Sequence, residues 1–407
     1  MKIPELLAPA GNMEKAKVAI EYGADAIYLA GNQFGMRAGA GNFDEEDLKY
    51  IIQYAHDRGV MVYVTVNIIP HNNDLQGIPE YIEFLDSIGA DAIIVADPGV
   101  VSIAQQVAPN LALHLSTQAN TTNWRSAKFW ADLGISRLVM AREINREDIE
   151  LIRQKVDAEI EVFVHGSMCM AYSGRCLISH VMTGRDANRG QCTQSCRWRY
   201  AVVEQNRPGE YFPIEETKEG TYLFNSKDLC LIEYIPDLVR IGVDSLKIEG
   251  RMKSAFYVGT VVRAYRQALD AYQADPKNYQ LDPVLLEEVD KVSHRPYYTG
   301  FFLDSQPGIN LETSGYQQSY DFVGLVEEYN LETGEALVGV RNRLLLNSEI
   351  EVVQPKAENF TFTITKMINH KSEEYEELDA AHANYWVRIP MPPVKPYSMF
   401  RIKKVEE

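Results

Sequence analysis

The feature that most constrains the fold is a short junction that occurs four times in the first two-thirds of the 407-residue chain. In each copy a helix-like segment ends at a glycine, and an apolar, strand-like run follows directly. A glycine in the left-handed conformation commonly ends a helix, and a short apolar run between turn residues is typical of a buried strand. The pattern therefore predicts repeated βαβ units. The copies lie at residues 22–29, 88–95, 133–140 and 241–248.

The number of strand-like runs predicts a closed barrel. Eight runs have the continuous apolar character of parallel strands that are buried on both faces, and helical patterns separate most of them. Eight such units make up an α/β fold, the TIM-like (β/α)8 barrel. The competing doubly wound sheet would be indicated by G-x-G-x-x-G after the first strand, and that motif is absent. The runs begin near Pro4, Ala26, Val60, Ala92, Leu111, Arg137, Glu159 and Ser245.

The chain divides into a barrel and a smaller domain. The barrel is predicted over residues 1–275, with an insertion at about 167–225 after the seventh strand and a connecting segment at 276–318. From 319 to 407 the pattern changes to short alternating runs separated by turn residues, which predicts a small all-β barrel domain with a binding or docking role. Polar residues follow the strands of the main barrel, and in this fold that face carries the active site.

Four of the five cysteines crowd into the insertion, with the spacing C-x6-C-x15-C-x3-C. In a reducing compartment such a cluster indicates metal ligands more often than disulfides. Zinc and an iron–sulfur cluster both accept four thiolates. Only one pair has the short spacing of a zinc knuckle, so the loose, asymmetric pattern favours [4Fe–4S], whose corners lie farther apart than the four positions around zinc. The candidate ligands are Cys169, Cys176, Cys192 and Cys196.

The fifth cysteine, Cys230, has two interpretations. It lies on what reads as the first turn of a helix over residues 228–240, where a small buried apolar role is the commoner one. It is also an alternative fourth ligand in place of Cys196.

The insertion is rich in arginine as well. Five arginines and one acidic residue, Asp186, lie between positions 175 and 199. They either offset the negative charge of a thiolate cluster or form a rim that binds phosphate or carboxylate groups, and the sequence favours neither. The five are Arg175, Arg185, Arg189, Arg197 and Arg199.

Further candidates lie at the strand ends and in the insertion. His165 ends the seventh strand and is a candidate general acid/base, with a structural histidine as the alternative. Lys247 and Glu249 share one face of the eighth strand and are candidate catalytic residues, with an ion pair inside the barrel as the alternative. Arg175 and Arg251 are candidates for gripping a substrate carboxylate with two parallel hydrogen bonds.

Composition narrows the class of protein. A formal net charge of −17 argues against broad, non-specific binding of nucleic acid. The chain contains no apolar run of 18 residues or more, so no membrane span is expected. The first residues lack the sections of a signal peptide, which predicts a cytoplasmic protein.

Residues 161–179 resemble the signature of the peptidase U32 family, since they read E-V-F-V-H-G-S-M-C-M-A-Y-S-G-R-C-L-I-S. The similarity begins at E-L-L-A-P-A-G-N (5–12) and continues through G-Q-C-T-Q-S-C-R-W (190–198), N-S-K-D (225–228) and K-I-E-G-R (247–251). It covers essentially the whole chain.

The resemblance implies a function that the spacing does not. Proteins of this family form a TIM-like barrel with an oxygen-independent [4Fe–4S] cluster, and hydroxylate RNA bases or ubiquinone precursors with oxygen from prephenate. By length and by its C-x3-C-R-W element the chain is most similar to the tRNA branch, which makes 5-hydroxyuridine at the wobble position. The implied partners are tRNA and prephenate, and the need for a second U32-family protein is left open. The implied cluster ligands are Cys169, Cys176, Cys192 and Cys196, with Cys230 outside the pattern.

Three alternatives compete with this interpretation. The family name implies a collagenase-like peptidase, although the chain has neither H-E-x-x-H nor G-x-S-x-G. Hydroxylation of another substrate, an rRNA base or a ubiquinone precursor, is the second. The third is a non-catalytic scaffold in which a four-thiolate site orders a loop and the C-terminal domain docks a partner.

Overall fold

The structure is a computed structural model. It describes residues 2–35, 42–169, 171, 172, 175–198, 201, 202, 212, 213, 227–303, 316–372 and 375–404. Within these ranges, no helix combines the length and the apolar character that crossing a membrane requires.

Eight parallel strands close into a barrel, as the sequence predicts. Each strand pairs with the next along the chain, and β8 closes the ring by pairing with both β1 and β7. The helices pack outside it, which makes the fold TIM-like. The strands are β1 (Glu5–Pro9), β2 (Ala26–Leu29), β3 (Met61–Val66), β4 (Ala92–Val95), β5 (Ala112–Leu115), β6 (Arg137–Val139), β7 (Glu159–Ser167) and β8 (Ser245–Ile248).

The repeated glycines end helices in the way that the sequence predicts. Gly23, Gly89, Gly134 and Gly242 have φ values of 108°, 83°, 88° and 85°, which lie in the left-handed region that glycine tolerates. The helices are α1 (Met13–Glu21), α2 (Glu45–His56), α3 (Ile78–Ser87), α4 (Pro98–Val107), α5 (Trp124–Asp132), α6 (Arg146–Lys155), α7 (Ile178–Thr183), α8 (Ile235–Ile241), α9 (Ala255–Ala274) and α10 (Pro283–Asp290).

The prediction of a helix over residues 228–240 is wrong for the first half of that range. Asp228–Cys230 is a strand that pairs antiparallel with the end of β7 and parallel with Tyr297–Tyr298. A 3-10 turn follows, and α8 begins only at Ile235. Both strand partners are distant in sequence, so local periodicity could not reveal the pairing.

The C-terminal residues form an antiparallel half-barrel, in agreement with the predicted all-β domain. Its strands pair in the order β12-β11-β15-β9-β10-β14-β13 around a separate apolar core. They are β9 (Tyr320–Asn330), β10 (Glu335–Val340), β11 (Glu349–Val353), β12 (Phe360–Thr363), β13 (Ile368–Asn369), β14 (Trp386–Pro390) and β15 (Met399–Lys403).

A buried ion-pair cluster joins the half-barrel to the main barrel. Arg401 on β15 donates from both terminal nitrogens to Glu288 on α10, at 2.8 Å each, and also contacts Glu351 on β11. Burial by itself would raise the pKa of Glu288, but the hydrogen bonds and positive charges of Arg401 and Lys291 outweigh it and lower that pKa to about 2. The carboxylate is therefore ionised wherever the protein is folded at ordinary pH.

A second ion-pair chain runs through the interior of the main barrel. Arg137 at the start of β6 contacts Glu5 on β1 at 2.7 Å and Glu161 on β7 at 3.4 Å. Glu161 also accepts a hydrogen bond of 2.6 Å from Lys247 on β8. Because Glu161 is completely buried, its carboxylate depends on these two cations for compensation.

Replacing Glu161 should destabilise the protein far more than replacing its neighbour. Glu161→Gln leaves the buried Lys247 without its carboxylate, and removing one partner of a buried pair costs about 3–5 kcal/mol. Glu159 also contacts Arg137, but its side chain is 41% exposed, so Glu159→Gln should cost less than about 1 kcal/mol. Urea unfolding measures both free energies. Equal losses for the two variants would contradict this account of the barrel interior.

The contribution of Glu288 to stability should disappear in acid. Its folded-state pKa of about 2 lies below the ordinary value, so the stabilisation is complete above about pH 4.3 and is lost as the pH falls toward 2. At neutral pH, Glu288→Gln should lower the free energy of unfolding by about 3 kcal/mol, and the difference from wild type should shrink on acidification. Glu287→Gln, on the exposed side of the same helix, should stay within about 0.5 kcal/mol. Chemical unfolding across this pH range tests it, and a constant difference would refute it.

Candidate active site

One cavity opens at the carboxyl ends of the barrel strands. Its volume, including the open mouth, is about 990 Å³. Residues at or just beyond the strand ends form its floor, and the insertion after β7 contributes the rest of its wall. It is lined by Tyr28, Thr65, Asn67, Ile94, Ser116, Thr117, Gln118, Val139, Arg142, Phe163, Cys169, Ala171, Tyr172, Cys176, Ile178, Ala187, Asn188, Cys192, Cys196, Lys247, Glu249 and Arg251.

All four clustered cysteines line this cavity. Cys169 and Cys176 precede α7, Cys192 follows a 3-10 turn at Ala187–Arg189, and Cys196 lies in a second 3-10 turn at Ser195–Arg197. The described residues contain no group of three or more His, Cys, Asp or Glu side chains drawn together tightly enough to hold one metal ion. All four thiols nevertheless line the same cavity.

The candidate residues of β8 lie at the floor of the same cavity. Lys247 pairs with the buried Glu161 at 2.6 Å, and its ammonium group lies 4.4 Å from the centre of the Tyr28 ring. Glu249 Oε2 lies 3.3 Å from Arg142 Nη2. Arg251 is 5% exposed and donates from Nη1 to the Thr65 hydroxyl at 3.3 Å. The cations and the carboxylate at the floor are thus held in place by neighbours on other strands.

Two glycines allow the residues after β8 to pack closely against the barrel rim. Gly166 on β7 has a φ of 109°, and a Cβ there would lie 2.4 Å from the carbonyl oxygen of Glu249. A Cβ on Gly11 would lie 2.0 Å from the carbonyl oxygen of Arg251. Any larger residue at either position would displace the segment that presents Glu249 and Arg251 to the cavity.

Arg142 is a site residue that the sequence did not single out. It follows β6, its guanidinium stacks over the Phe163 ring at 4.0 Å, and it pairs with Glu249. Its position after a strand was the available signal, shared with Asn67 and with the Ser116–Gln118 segment. Strand ends alone do not rank these residues, because only the closed barrel shows which side chains turn inward.

His165 does not line the cavity. Its ring is buried behind β7, with Nε2 3.2 Å from the Tyr297 hydroxyl and Nδ1 3.4 Å from the Tyr265 hydroxyl. Burial and the nearby His294 and Lys253 lower the pKa of His165 to about 3, so the ring is neutral at physiological pH. This position supports the structural alternative and gives no support to a general acid/base role.

Cys230 lies apart from the other four cysteines. It pairs with His165 across the short antiparallel ladder, and its sulfur is 4.0 Å from the Tyr265 hydroxyl. Burial raises the pKa of its thiol to about 11, which keeps it protonated. This environment is that of a packed apolar residue.

Two of the five arginines of the insertion have side chains that the structure describes, and both are exposed. Arg175 is exposed and lines a smaller opening beside the cavity, together with Asn120, Ala171 and Tyr172. It is therefore separate from Arg251, the other arginine that was predicted to grip a substrate carboxylate, which lies at the cavity floor. Arg185 is also exposed. The side chains of Arg189, Arg197 and Arg199 lie outside the described residues.

The donor set of the cavity fits a thiolate-bound cluster better than a single ion. Four thiols are the protein ligands that a [4Fe–4S] cluster requires, and such a cluster spaces them more widely than one tetrahedral ion does. Beneath them, arginine and lysine side chains can bind an anion, because guanidinium groups form paired, charge-assisted hydrogen bonds with carboxylates. The site thus combines a wall that carries four thiols with a cationic floor.

Comparison with known proteins assigns the family. The model for peptidase family U32 matches residues 11–312, and that for the peptidase family U32 C-terminal domain matches residues 318–401. The chain is 44% identical to tRNA hydroxylation protein P1 of Bacillus subtilis (strain 168), covering 93% of this chain and 90% of that protein. It is 36% identical to tRNA hydroxylation protein P of Escherichia coli (strain K12), over 95% and 94%.

A third relative is much longer than the part of it that matches this chain. The 23S rRNA 5-hydroxycytidine C2501 synthase of Escherichia coli (strain K12) is 37% identical over 79% of this chain, but the match spans only 48% of that protein. All three relatives bear names that describe RNA hydroxylation, and two match this chain nearly end to end. The matched models and these identities establish that the chain belongs to the peptidase U32 family.

Proposed function

We propose that this protein is a cytoplasmic iron–sulfur enzyme that hydroxylates the wobble uridine of tRNA to 5-hydroxyuridine and takes the oxygen from prephenate. The observation that carries the proposal is the single cavity whose wall contains all four clustered cysteines and whose floor contains Lys247, Glu249 and Arg251. Redox ligands and anion-binding groups face the same enclosed space.

In this proposal Cys169, Cys176, Cys192 and Cys196 hold a [4Fe–4S] cluster. Its contribution, when bound, is redox chemistry at the barrel mouth. The loose, asymmetric spacing of the four cysteines along the chain supports a cluster over zinc, whose ligands usually come from two tight knuckles. Cys230 takes no part, since it is buried against Tyr265 with a protonated thiol.

The cavity floor would bind the organic acid. Prephenate carries two carboxylates, and Arg251 and Arg142 present guanidinium groups among the lining residues. Glu249 pairs with Arg142 and so fixes the plane of that guanidinium. In this scheme prephenate is the oxygen donor.

The names of the relatives support tRNA over the other RNA substrate. Coverage of nine-tenths or more in both directions relates this chain to the two tRNA hydroxylation proteins, whereas it spans less than half of the rRNA hydroxycytidine synthase. With a net charge of −17 the protein lacks a broad electrostatic attraction for RNA. Binding of tRNA would rely on exposed arginines such as Arg175 and Arg185, be sensitive to salt, and gain from a second U32-family protein as partner.

The peptidase implied by the family name is the alternative function. A cysteine nucleophile needs a histidine within hydrogen-bond reach. Among the residues that line the described cavity there are four cysteines and no histidine, and His165 lies outside it with a pKa of about 3. The cavity therefore favours a cluster enzyme over cysteine-dependent proteolysis.

Serine variants of the cavity cysteines should lose the cluster. Cys169→Ser, Cys176→Ser, Cys192→Ser and Cys196→Ser each remove one thiolate, so iron and acid-labile sulfide per chain should fall well below the wild-type content after anaerobic purification. Cys230→Ser is the matched control and should retain both. Wild-type protein that is colourless and contains one equivalent of zinc would contradict the cluster.

Deletion of the gene should remove 5-hydroxyuridine and its derivatives from tRNA. Mass spectrometry of tRNA nucleosides measures this, with complementation by wild type, Cys192→Ser and Cys230→Ser. Wild type and Cys230→Ser should restore the modification, while Cys192→Ser should not. Restoration by Cys192→Ser would separate the modification from the cluster, and gelatin cleavage that requires Cys192 but not prephenate would favour the peptidase.

A further inference from the structure

Two polar atoms in the cavity wall have no hydrogen-bond partner among the described residues. They are Thr117 Oγ1 and Gln118 Nε2, in the segment that follows β5. Both atoms are buried, Gln118 as a whole is 9% exposed, and both residues line the cavity. A buried donor that lacks an acceptor lowers stability, so two adjacent ones in a cavity wall indicate a ligand that supplies acceptors.

The orientation of the Gln118 amide is set by a chain of hydrogen bonds. Asn67 Nδ2 donates to Ser116 Oγ over 3.3 Å, and Ser116 Oγ donates to Gln118 Oε1 over 3.0 Å. Because the carbonyl oxygen of Gln118 is engaged in this way, the amide presents its NH2 group as a donor. The hydroxyl of Thr117, the preceding residue, can donate as well, so the segment offers two donors to the cavity.

The charges around the cavity favour an anionic ligand for these donors. Cysteines aside, the described lining residues include the cations Arg142, Lys247 and Arg251 and a single carboxylate, Glu249. A carboxylate has two oxygens, each able to accept more than one hydrogen bond. Hydrogen bonds from neutral donors to a charged acceptor are also stronger than those to a neutral one.

We infer that Thr117 and Gln118 form a carboxylate subsite, each donating one hydrogen bond to a carboxylate of the small organic acid that binds at the cavity floor. The arginines supply the charge that attracts the acid, and the fixed amide and hydroxyl determine which of its carboxylates binds where. Ser116 and Asn67 act as positioning residues, through Gln118. The inference rests on the proposed function and adds specificity-determining residues to it.

Calorimetric titration of prephenate into anaerobically purified full-length protein tests the subsite without requiring turnover. Thr117→Val and Gln118→Leu each remove one donor at nearly constant volume and should raise the Kd by about tenfold or more. Thr121→Val is the matched control, because its hydroxyl is also buried and lacks a partner among the described residues but does not line the cavity. Its Kd should equal that of wild type.

Gln118→Glu replaces the donor by an acidic acceptor and should abolish prephenate binding by repulsion. Iron content and melting temperature identify any variant that fails to fold. If Gln118→Leu fails to fold, Gln118→Met is used in its place.

Unchanged Kd values in Thr117→Val and Gln118→Leu, or no binding of prephenate by wild type, would overturn the subsite. The subsite would also be overturned if Thr117→Val and Gln118→Leu weakened the binding of tRNA and left the binding of prephenate unchanged, since the donors would then contact RNA. Wild type that binds prephenate but does not hydroxylate uridine would reject the proposed function and leave the subsite standing.

Discussion

The buried carboxylate of Glu161 is the constraint on which the barrel and its site both depend. It has no contact with solvent and lies between Arg137, toward the start of the strands, and Lys247, at the cavity floor. An ion at this depth is tolerated only when it is paired on all sides. The chain of charges therefore links strands β6, β7 and β8 at the seam where the barrel closes, and it also delivers a lysine to the site.

The family signature can be understood in these physical terms. Its glutamate is Glu161, which holds Lys247, and its aromatic residue is Phe163, over which Arg142 stacks. Its glycine is Gly166, where the left-handed backbone and the close approach of the Glu249 carbonyl exclude a side chain. Its first cysteine, Cys169, is a cavity residue. One short stretch of sequence thus contributes to the barrel seam, to the support of the cavity floor and to the wall that carries the four cysteines.

Local sequence signals anticipate where the cysteines lie, but they do not anticipate the position of His165. Cysteine spacing and the position after β7 were local signals, and all four cysteines do line one cavity. His165 also ends β7, but the short Asp228–Cys230 strand covers it and three tyrosines surround it. That strand pairs with partners more than sixty residues away in sequence. Local periodicity contains no information about such a partner.

Local sequence patterns are sufficient to predict the eight-strand barrel, a C-terminal all-β domain and the cysteine insertion, because glycine stops, apolar runs and turn residues act over a few neighbouring positions. Which strand-end side chains share the cavity depends on closure of the barrel, and it is therefore visible only in three dimensions. Arg142, Thr117 and Gln118 line the same cavity as Arg251, whereas His165, Cys230 and Arg175 lie elsewhere. Burial and interactions between charges that are distant in sequence determine these different environments, and no local pattern contains that information.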